Sequence, residues 1–459
     1  MRLDHGTGTA HQAADDPPAA TDGSARSGRP RSARSSRERP FGVAAAIGRL
    51  LGGELPIAVS CYDGSRVGPD DSETTLVVRS PRALQYALTA PGELGIARAY
   101  VSGELDIEGD MFSALALRDH LPDVKLGPSE WVDLARIAGV AGLRPLPPPP
   151  EEARLRGRRH SKGRDAAAIA HHYDVSNEFY RIILGPSMTY SCGVWPSEHA
   201  TLEIAQQTKY ELVSRKLGLT PGMRLLDVGC GWGGMVMHAA RHHGVHAMGI
   251  TLSHRQAEWA RRAAHEAGLD DRVEIRVQDY RDVRDGPFDA ISSIGMFEHV
   301  GAARLDDYFA ALYALLRPGA RLLNHGISRP AGDCGQARFM RRGFIDRYVF
   351  PDGELHEIGS VVSRIQRAGL EARHVEGLRE HYALTLRAWM RNLDAAWDDA
   401  VAEVGPGRAR VWRLYMAASA LNFEADRTQI HQVLAVRDER GVSGMDLRPD
   451  FEPRLEAAR

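Results

Sequence analysis

Leu225-Leu226-Asp227-Val228-Gly229-Cys230-Gly231-Trp232-Gly233-Gly234 decides how this chain is read. The run Arg224 to Val228 has the composition of a buried strand, and it enters a glycine-rich turn that opens onto the apolar helical stretch Met235 to Ala240. Glycines at 229, 231, 233 and 234 let the main chain turn tightly and let a ligand lie against bare backbone. A nucleotide-like ligand at a strand's carboxyl end suits that geometry, and so does a tight strand-to-helix turn that holds nothing.

The neighbours discriminate. A dinucleotide fingerprint places an acid about 20 residues past its first glycine, to meet the ribose. Here the second strand, His246 to Ile250, runs into Thr251-Leu252-Ser253 instead, and the nearest acid is Asp227, directly before the turn. That arrangement is similar to S-adenosylmethionine-dependent methyltransferases rather than NAD enzymes, so a sulfonium cofactor is expected.

Outward from this stretch, residues from about 167 alternate helix and strand in the rhythm of a parallel sheet. Strands are expected at Arg224 to Val228, His246 to Ile250, Val273 to Val277, Phe288 to Ile294 and Ala320 to His325, with amphipathic helices at Gln256 to Ala267 and Asp306 to Leu316. Arg317-Pro318-Gly319 closes the second helix. The fold class is α/β, a doubly wound Rossmann-like methyltransferase sheet. Past Gly326 the chain is expected to turn helical and aromatic, for example from Phe344 to Phe350 and from Trp412 to Phe423; those residues line a greasy cavity or fill a core.

Three regions precede it. Residues 1–40, with Arg26, Arg29, Arg31, Arg34, Arg37 and Arg39, are too poor in apolar surface to offset their ordering entropy and are expected to be disordered. Residues 41–143 form a smaller α+β accessory domain, with strand-like runs at Ile57 to Tyr62 and Thr75 to Val78 and helical stretches at Pro81 to Leu88 and Met111 to Leu117. Residues 144–166 are a linker: Pro145 to Pro150 stiffen it, and Arg154, Arg156, Arg158, Arg159, Lys162 and Arg164 make it basic. Both basic segments read either as solvated chain or as strips that attract anionic lipid.

The 459 residues exceed one ordinary core, and 58 basic against 60 acidic residues leave a net charge of −2, which speaks against a nucleic-acid partner. Cys61, Cys192, Cys230 and Cys334 show no CxxC spacing, so neither a disulfide framework nor a metal site is expected. No apolar run reaches the roughly 18 residues of a membrane span, and no signal-peptide core is present. A cytoplasmic protein is expected, peripheral at the inner face of the cell membrane.

Six segments in order carry a family resemblance: residues 172–177 (His-Tyr-Asp-Val-Ser-Asn), 188–192 (Met-Thr-Tyr-Ser-Cys), 225–234, 249–253 (Gly-Ile-Thr-Leu-Ser), 296–301 (Met-Phe-Glu-His-Val-Gly) and 348–351 (Tyr-Val-Phe-Pro). The chain resembles the cyclopropane fatty acid synthases from about residue 167 to 436, and more weakly over 41–120. The resemblance implies methyl transfer from S-adenosylmethionine to the cis double bond of an unsaturated, oleoyl-type phospholipid chain. An alkene is a weak nucleophile, so the methyl must be held in near-attack geometry; the resulting cation must be kept from water and lose a proton. By resemblance a bound bicarbonate is the base, and Cys192, Glu298, His325, Ile327 and Tyr382 hold it. Tyr190 and Ser191 fall near the methionine end of the cofactor, Gly229 and Gly231 under its chain, Thr251 and Gln256 at the ribose, Gln278 and Asp279 at the adenine, and Ile294 and Gly295 beside it. Taken singly, Cys192 and Tyr382 read as core groups, Glu298 as a helix-start acid and Asp279 as a strand-end turn residue.

Two departures stand out. Residues 322–327 read Leu-Leu-Asn-His-Gly-Ile where the family has Leu-Leu-His-Thr-Ile, and residues 352–356 read Asp-Gly-Glu-Leu-His where it has Gly-Gly-x-Leu-Pro-Ser. With residues 339–347 and the ending Leu447-Arg448-Pro449, they resemble the actinobacterial branch that forms 10-methylene fatty acids, precursors of tuberculostearic acid. Ring closure to a cyclopropane starts from the same cation. A non-catalytic lipid binder and a small-molecule methyltransferase are the rival classes. A reductase acting on the methylene product and a homodimer are expected partners by analogy.

Overall fold

The computed structural model describes residues 42–51, 55–90, 92–120, 137, 144–153, 164, 176–332, 343–351 and 353–452, all within one compact unit. The arginine-rich tail, the basic residues Arg154, Arg156, Arg158, Arg159 and Lys162, residues 172–175, Cys334 and residues 339–342 lie outside the described residues.

The amino-terminal region builds a four-stranded sheet in the order β2-β1-β3-β4, from β1 (Ala58–Cys61), β2 (Arg66–Val67), β3 (Thr75–Val78) and β4 (Leu105–Glu108). The β1-β2 hairpin turns through Gly64, whose φ of +80° suits a residue without a side chain. Ser80 starts the helix Pro81–Thr89 by accepting the Arg82 amide on its side chain, with proline at the first helical position.

The large sheet carries the site. Its parallel part is β5 (Arg224–Val228), β6 (His246–Thr251), β7 (Val273–Val277), β8 (Phe288–Ile294) and β9 (Leu316–Arg329); β10 (His356–Glu357), β11 (Glu371–Gly377) and β12 (Gln429–Val436) follow. The order is β11-β12-β9-β8-β5-β6-β7, with β10 pairing β9. From β5 the chain winds to β6 and β7 on one side, then returns to β8 and β9 on the other. Ligands bind beyond the strands' carboxyl ends where the winding reverses, and here that is between β5 and β8.

The helices Gly234–His243, His254–Glu266 and Leu305–Leu315 match their sequence expectations within a few residues. The expected turn at Pro318-Gly319 is a bulge within β9: Leu316 faces Phe288, Arg321 faces Ala290, and the intervening residues leave the ladder.

One expectation is corrected. The chain does not turn purely helical after Gly326, because β9 runs on to Arg329 and β11 and β12 add an antiparallel end to the sheet. β12 is buried along most of its length, so its alternation is weak, and β11 is a half-exposed polar strand; neither shows the period that marks a strand.

The remaining carboxyl-terminal helices, Arg379–Ala395, Trp397–Val404 and Pro406–Glu424, do not join that sheet's core alone. Trp389, Trp412, Tyr415 and Phe423 share one apolar cluster with Ile57, Tyr100, Ile107 and Met111 of the amino-terminal region. No described helix is long and apolar enough to cross a membrane.

Candidate active site

Beyond β5, Gly229, Gly231 and Gly233 all have positive φ, and the amides of Gly229 and Cys230 both donate to the carbonyl of Ile250 at the end of β6. This pins the turn between two strands and leaves a cleft above it. A side chain at Gly234 would put its Cβ 2.0 Å from the hydroxyl of Tyr210. Glycine there lets the helix Gly234–His243 start against a tyrosine that is itself fixed by Thr189 at 2.5 Å.

All ten residues expected to touch a cofactor line this one cleft: Tyr190, Ser191, Gly229, Gly231, Thr251, Gln256, Gln278, Asp279, Ile294 and Gly295. Thr251 donates its hydroxyl to Gln256 Oε1 at 2.8 Å, so the pair forms one polar edge. The Gln278 amide donates to the Thr251 carbonyl at 3.0 Å, which brings the ends of β6 and β7 together. The Asp279 carboxylate accepts the Arg281 amide at 2.9 Å and pairs with its guanidinium at 2.6 Å; it shapes the strand end while facing the cleft.

The floor pairs Asp227, the acid before the turn, with a lysine that sequence reasoning passed over. Lys209 is buried, and its ammonium donates to Ser191 Oγ at 2.9 Å while lying 4.0 Å from the Tyr210 ring centre. Burial lowers its pKa to about 7. Burial likewise lifts Asp227 to about 6, opposed by a 2.6 Å hydrogen bond from Ser292 and by the charge of Lys209. A signal existed: on the helix Leu202–Leu217 the buried face takes in Leu202, Ala205, Gln206, Lys209, Tyr210 and Val213, and two polar residues on an apolar stripe ask for a partner. Gln206 donates to the Ser191 carbonyl at 2.9 Å, so both hold the strip between Tyr190 and Cys192.

A second, largely apolar cavity adjoins the cleft, and Tyr190, Gly295 and His299 belong to both. Glu298, Ile327 and Tyr382 line it, as do Phe350, Tyr415 and Phe423. Glu298 Oε1 accepts the Ile327 amide at 2.6 Å; Oε2 is buried without a hydrogen-bond partner among the described residues. Burial raises this carboxyl to about 7, with the Ile327 amide opposing.

His325 does not line the cavity; it is buried in β9, two residues before Ile327, and its Nε2 also lacks a partner among the described residues. Its tautomer follows from a relay. Lys216 donates to Gln432 Oε1 at 2.8 Å, which turns the Gln432 amide nitrogen toward His325 Nδ1 at 3.3 Å. Nδ1 therefore accepts and the proton sits on Nε2. Burial holds this imidazole well below its ordinary pKa, so it stays neutral.

Cys192 is buried, with its thiol near the carbonyls of Gly193 and Leu378 at 3.1 and 3.8 Å, and burial pushes its pKa up, so it remains an S–H donor. Tyr382 packs on Phe423 and Trp389. Of the five residues expected to hold an anion, Glu298, Ile327 and Tyr382 line this cavity, whereas Cys192 and His325 are buried outside both linings.

Both departures from the family pattern border this region. A Cβ at Gly326 would fall 2.0 Å from a ring carbon of Phe297 and 3.1 Å from Glu298 Oε1, so the glycine admits the turn that delivers Glu298. His356 lines the second cavity with its Nε2 lacking a partner among the described residues.

The sheet order, the glycine turn at the reversal point and the polar edge beyond β6 together define the fold of the S-adenosylmethionine-dependent methyltransferases. Residues 160–433 match the family described as mycolic acid cyclopropane synthetase, and the chain belongs to that family. It is 50% identical over 414 residues to a probable fatty acid methyltransferase of Mycobacterium tuberculosis, covering 87% of this chain and 96% of that one. It is 35% identical over 348 residues to the cyclopropane-fatty-acyl-phospholipid synthase of Escherichia coli (75% and 84%), and 31% identical over 414 residues to a tuberculostearic acid methyltransferase of Mycobacterium tuberculosis (86% and 92%). Among solved structures, a mycolic acid cyclopropane synthase complexed with S-adenosylhomocysteine and CTAB superposes with a TM-score of 0.56 at 33% identity, covering 59% of this chain and 97% of that one.

Proposed function

We propose that this protein transfers the methyl group of S-adenosylmethionine to the cis double bond of an unsaturated, oleoyl-type phospholipid chain and releases a 10-methylene acyl product. The observation that carries the reading is the meeting of two cavities at Tyr190, Gly295 and His299, with the partnerless Glu298 Oε2 on a residue that lines the second. A cleft edged by Thr251, Gln256 and Gln278 for a nucleoside-like donor opens onto a second space, lined by Phe350, Tyr415 and Phe423, for an acyl chain. The donor supplies an electrophilic methyl. The chain's own residues do the rest: Gly229 and Gly231 let the donor lie on bare backbone, Thr251 and Gln256 offer the polar edge for its ribose, and Asp227 supplies a carboxyl whose burial is opposed first by the Ser292 hydrogen bond and then by Lys209.

Methylation leaves a positive charge on the acyl chain, and Tyr415, Phe350 and Phe423 keep water from it. Cys192, Glu298, His325 and Tyr382 would hold bicarbonate, which would supply a base for the departing proton, while the Ile327 amide fixes Glu298. The His325 Nε2 proton and a protonated Glu298 are the donors that orient it. The departures at Gly326 and His356 support the methylene outcome over ring closure, whereas sequence identity, 31% to a tuberculostearic acid methyltransferase and 35% to a cyclopropane-fatty-acyl-phospholipid synthase, does not separate the two.

On this reading the enzyme works at the inner face of the cell membrane, drawn to anionic lipid by the basic residues of 154–164 and with no role for nucleic acid. A reductase saturates the product, and a homodimer is proposed by analogy alone. The test is incubation of purified protein with labelled S-adenosylmethionine and oleoyl phospholipid vesicles, followed by NMR of the recovered fatty acids. An exocyclic methylene is expected. A cyclopropane would overturn the product assignment and leave the methyl transfer standing; label only in soluble acceptors would overturn the substrate.

A further inference from the structure

Away from the cleft, two helices bring three metal-binding side chains to one point. Glu211, next to Tyr210 on the helix Leu202–Leu217, presents Oε2 to His238 Nε2 at 3.3 Å and to His243 Nε2 at 3.0 Å, both on the helix Gly234–His243. The three ligand atoms all lie within 4.8 Å of one another. Arg215 Nε binds the other oxygen, Oε1, at 2.8 Å and so fixes the carboxylate with Oε2 toward the imidazoles.

We propose that Glu211, His238 and His243 form a binding site for a divalent transition-metal ion of the zinc class, with water completing the coordination.

The donor set is two imidazoles and one carboxylate, which suits borderline ions such as Zn²⁺ and Co²⁺ and does not suit the oxygen-seeking Mg²⁺ or Ca²⁺. A tetrahedral ion with bonds of about 2.1 Å holds its ligand atoms about 3.4 Å apart, and the two Glu211 contacts are close to that spacing. Without metal, both histidines must carry their proton on Nε2 to bond the carboxylate; with metal, they present Nε2 as a lone pair and keep the proton on Nδ1.

A metal takes an ionised carboxylate and neutral imidazoles, the donor forms that these three side chains can present. The side chains of His238, His243 and Glu211 are 12%, 17% and 31% exposed, which leaves a path for the ion and its water.

The site has a mechanical consequence. Tyr210 reaches Thr189 on one side and the start of the second helix at Gly234 on the other, so an ion clamping Glu211 to His238 and His243 would stiffen a wall of the cofactor cleft.

The test uses the full chain, stripped with chelator and dialysed. Zn²⁺ is titrated by calorimetry and Co²⁺ by visible absorption, for wild type and for the double variant His238→Ala/His243→Ala. One ion per chain is expected, bound at least about tenfold more tightly by wild type. The thermal midpoint should rise with Zn²⁺ in wild type only. Equal affinity in wild type and variant, or no binding by wild type, overturns the site. If the double variant fails to fold, the cobalt spectrum of wild type decides: intense four-coordinate bands at one equivalent support the site, and the weak spectrum of the hydrated ion overturns it.

Discussion

Glu298 concentrates the chemistry of the site in one carboxyl. Its folded pKa of about 7 lies above the ordinary 4.5 because burial penalises the charge. The unfolded chain therefore gives up this proton first, and between about pH 4.5 and 7 the folded state binds more protons. Stability contributed by Glu298 is thus fully present below pH 4.5, falls through this window as pH rises, and is flat above it. Glu298→Gln should remove that fall, a difference on the order of 3 kcal/mol at most, read by urea unfolding at pH 5 and pH 7.5. Asp227 slopes the same way from 3.8 to about 6, but it is common to both proteins and cancels in the difference. The variant should also lose about 10²-fold or more in kcat while cofactor affinity holds. Equal pH slopes for the two proteins would refute the buried, protonated carboxyl.

His325 gives a companion test, because its tautomer depends on a residue that does not line the site. Gln432→Leu keeps the bulk, removes the donor to Nδ1 and leaves a buried nitrogen unpaired, at a cost of about 1–3 kcal/mol. The expected signature is a redistributed proton in the histidine ¹⁵N spectrum together with lower kcat and unchanged cofactor affinity. An unaltered spectrum would mean that the Lys216–Gln432 relay does not set the proton.

At the scale of elements, the glycine turn illustrates a contest whose sign is settled by distance. Alanine is a better helix former than glycine by about 1 kcal/mol, and Gly234 stands at a helix start, so propensity alone favours Gly234→Ala. The new Cβ would meet the Tyr210 hydroxyl at 2.0 Å and its ring at 2.7 Å, however, and overpacking of that kind costs about 1–3 kcal/mol. The clash wins. The variant should melt lower and bind S-adenosylmethionine more weakly, by thermal unfolding and calorimetry; a raised melting point would show that Tyr210 yields freely. This element was legible from residues 225–234 because strand, turn and helix follow one another locally. β11 and β12 were not, since the ladder that makes them strands joins segments far apart in sequence, as in the pairing of His325 with Gln432. Lys209 and Gln432 escaped for the same reason: the partners that explain their burial come from other elements.

For the molecule as a whole, Glu152 holds distant parts of the chain in one place. Its carboxylate takes a bidentate pair from Arg98 of the helix Glu93–Val101, at 2.9 Å for each bond, and a further 3.1 Å contact from Arg347. The Tyr348 hydroxyl donates to it at 3.2 Å, and the next amide, Ala153, donates to the Arg347 carbonyl at 2.8 Å. Arg98 belongs to the amino-terminal region, whereas Ile345 and Asp346, beside Arg347, line the apolar cavity. The carboxylate is only 4% exposed, so removing its charge leaves Arg98 without its counter-ion in a poorly solvated place. Breaking a fully buried pair costs about 3–5 kcal/mol, and the 43% exposure of Arg347 argues for the low end. Glu152→Gln should therefore destabilise by about 3 kcal/mol in urea. Because Arg347 flanks the cavity and not the cofactor cleft, KM for the lipid should rise while the Kd for S-adenosylmethionine stays put. A variant that lost both affinities equally would show that Glu152 supports the fold at large and does not hold the cavity wall.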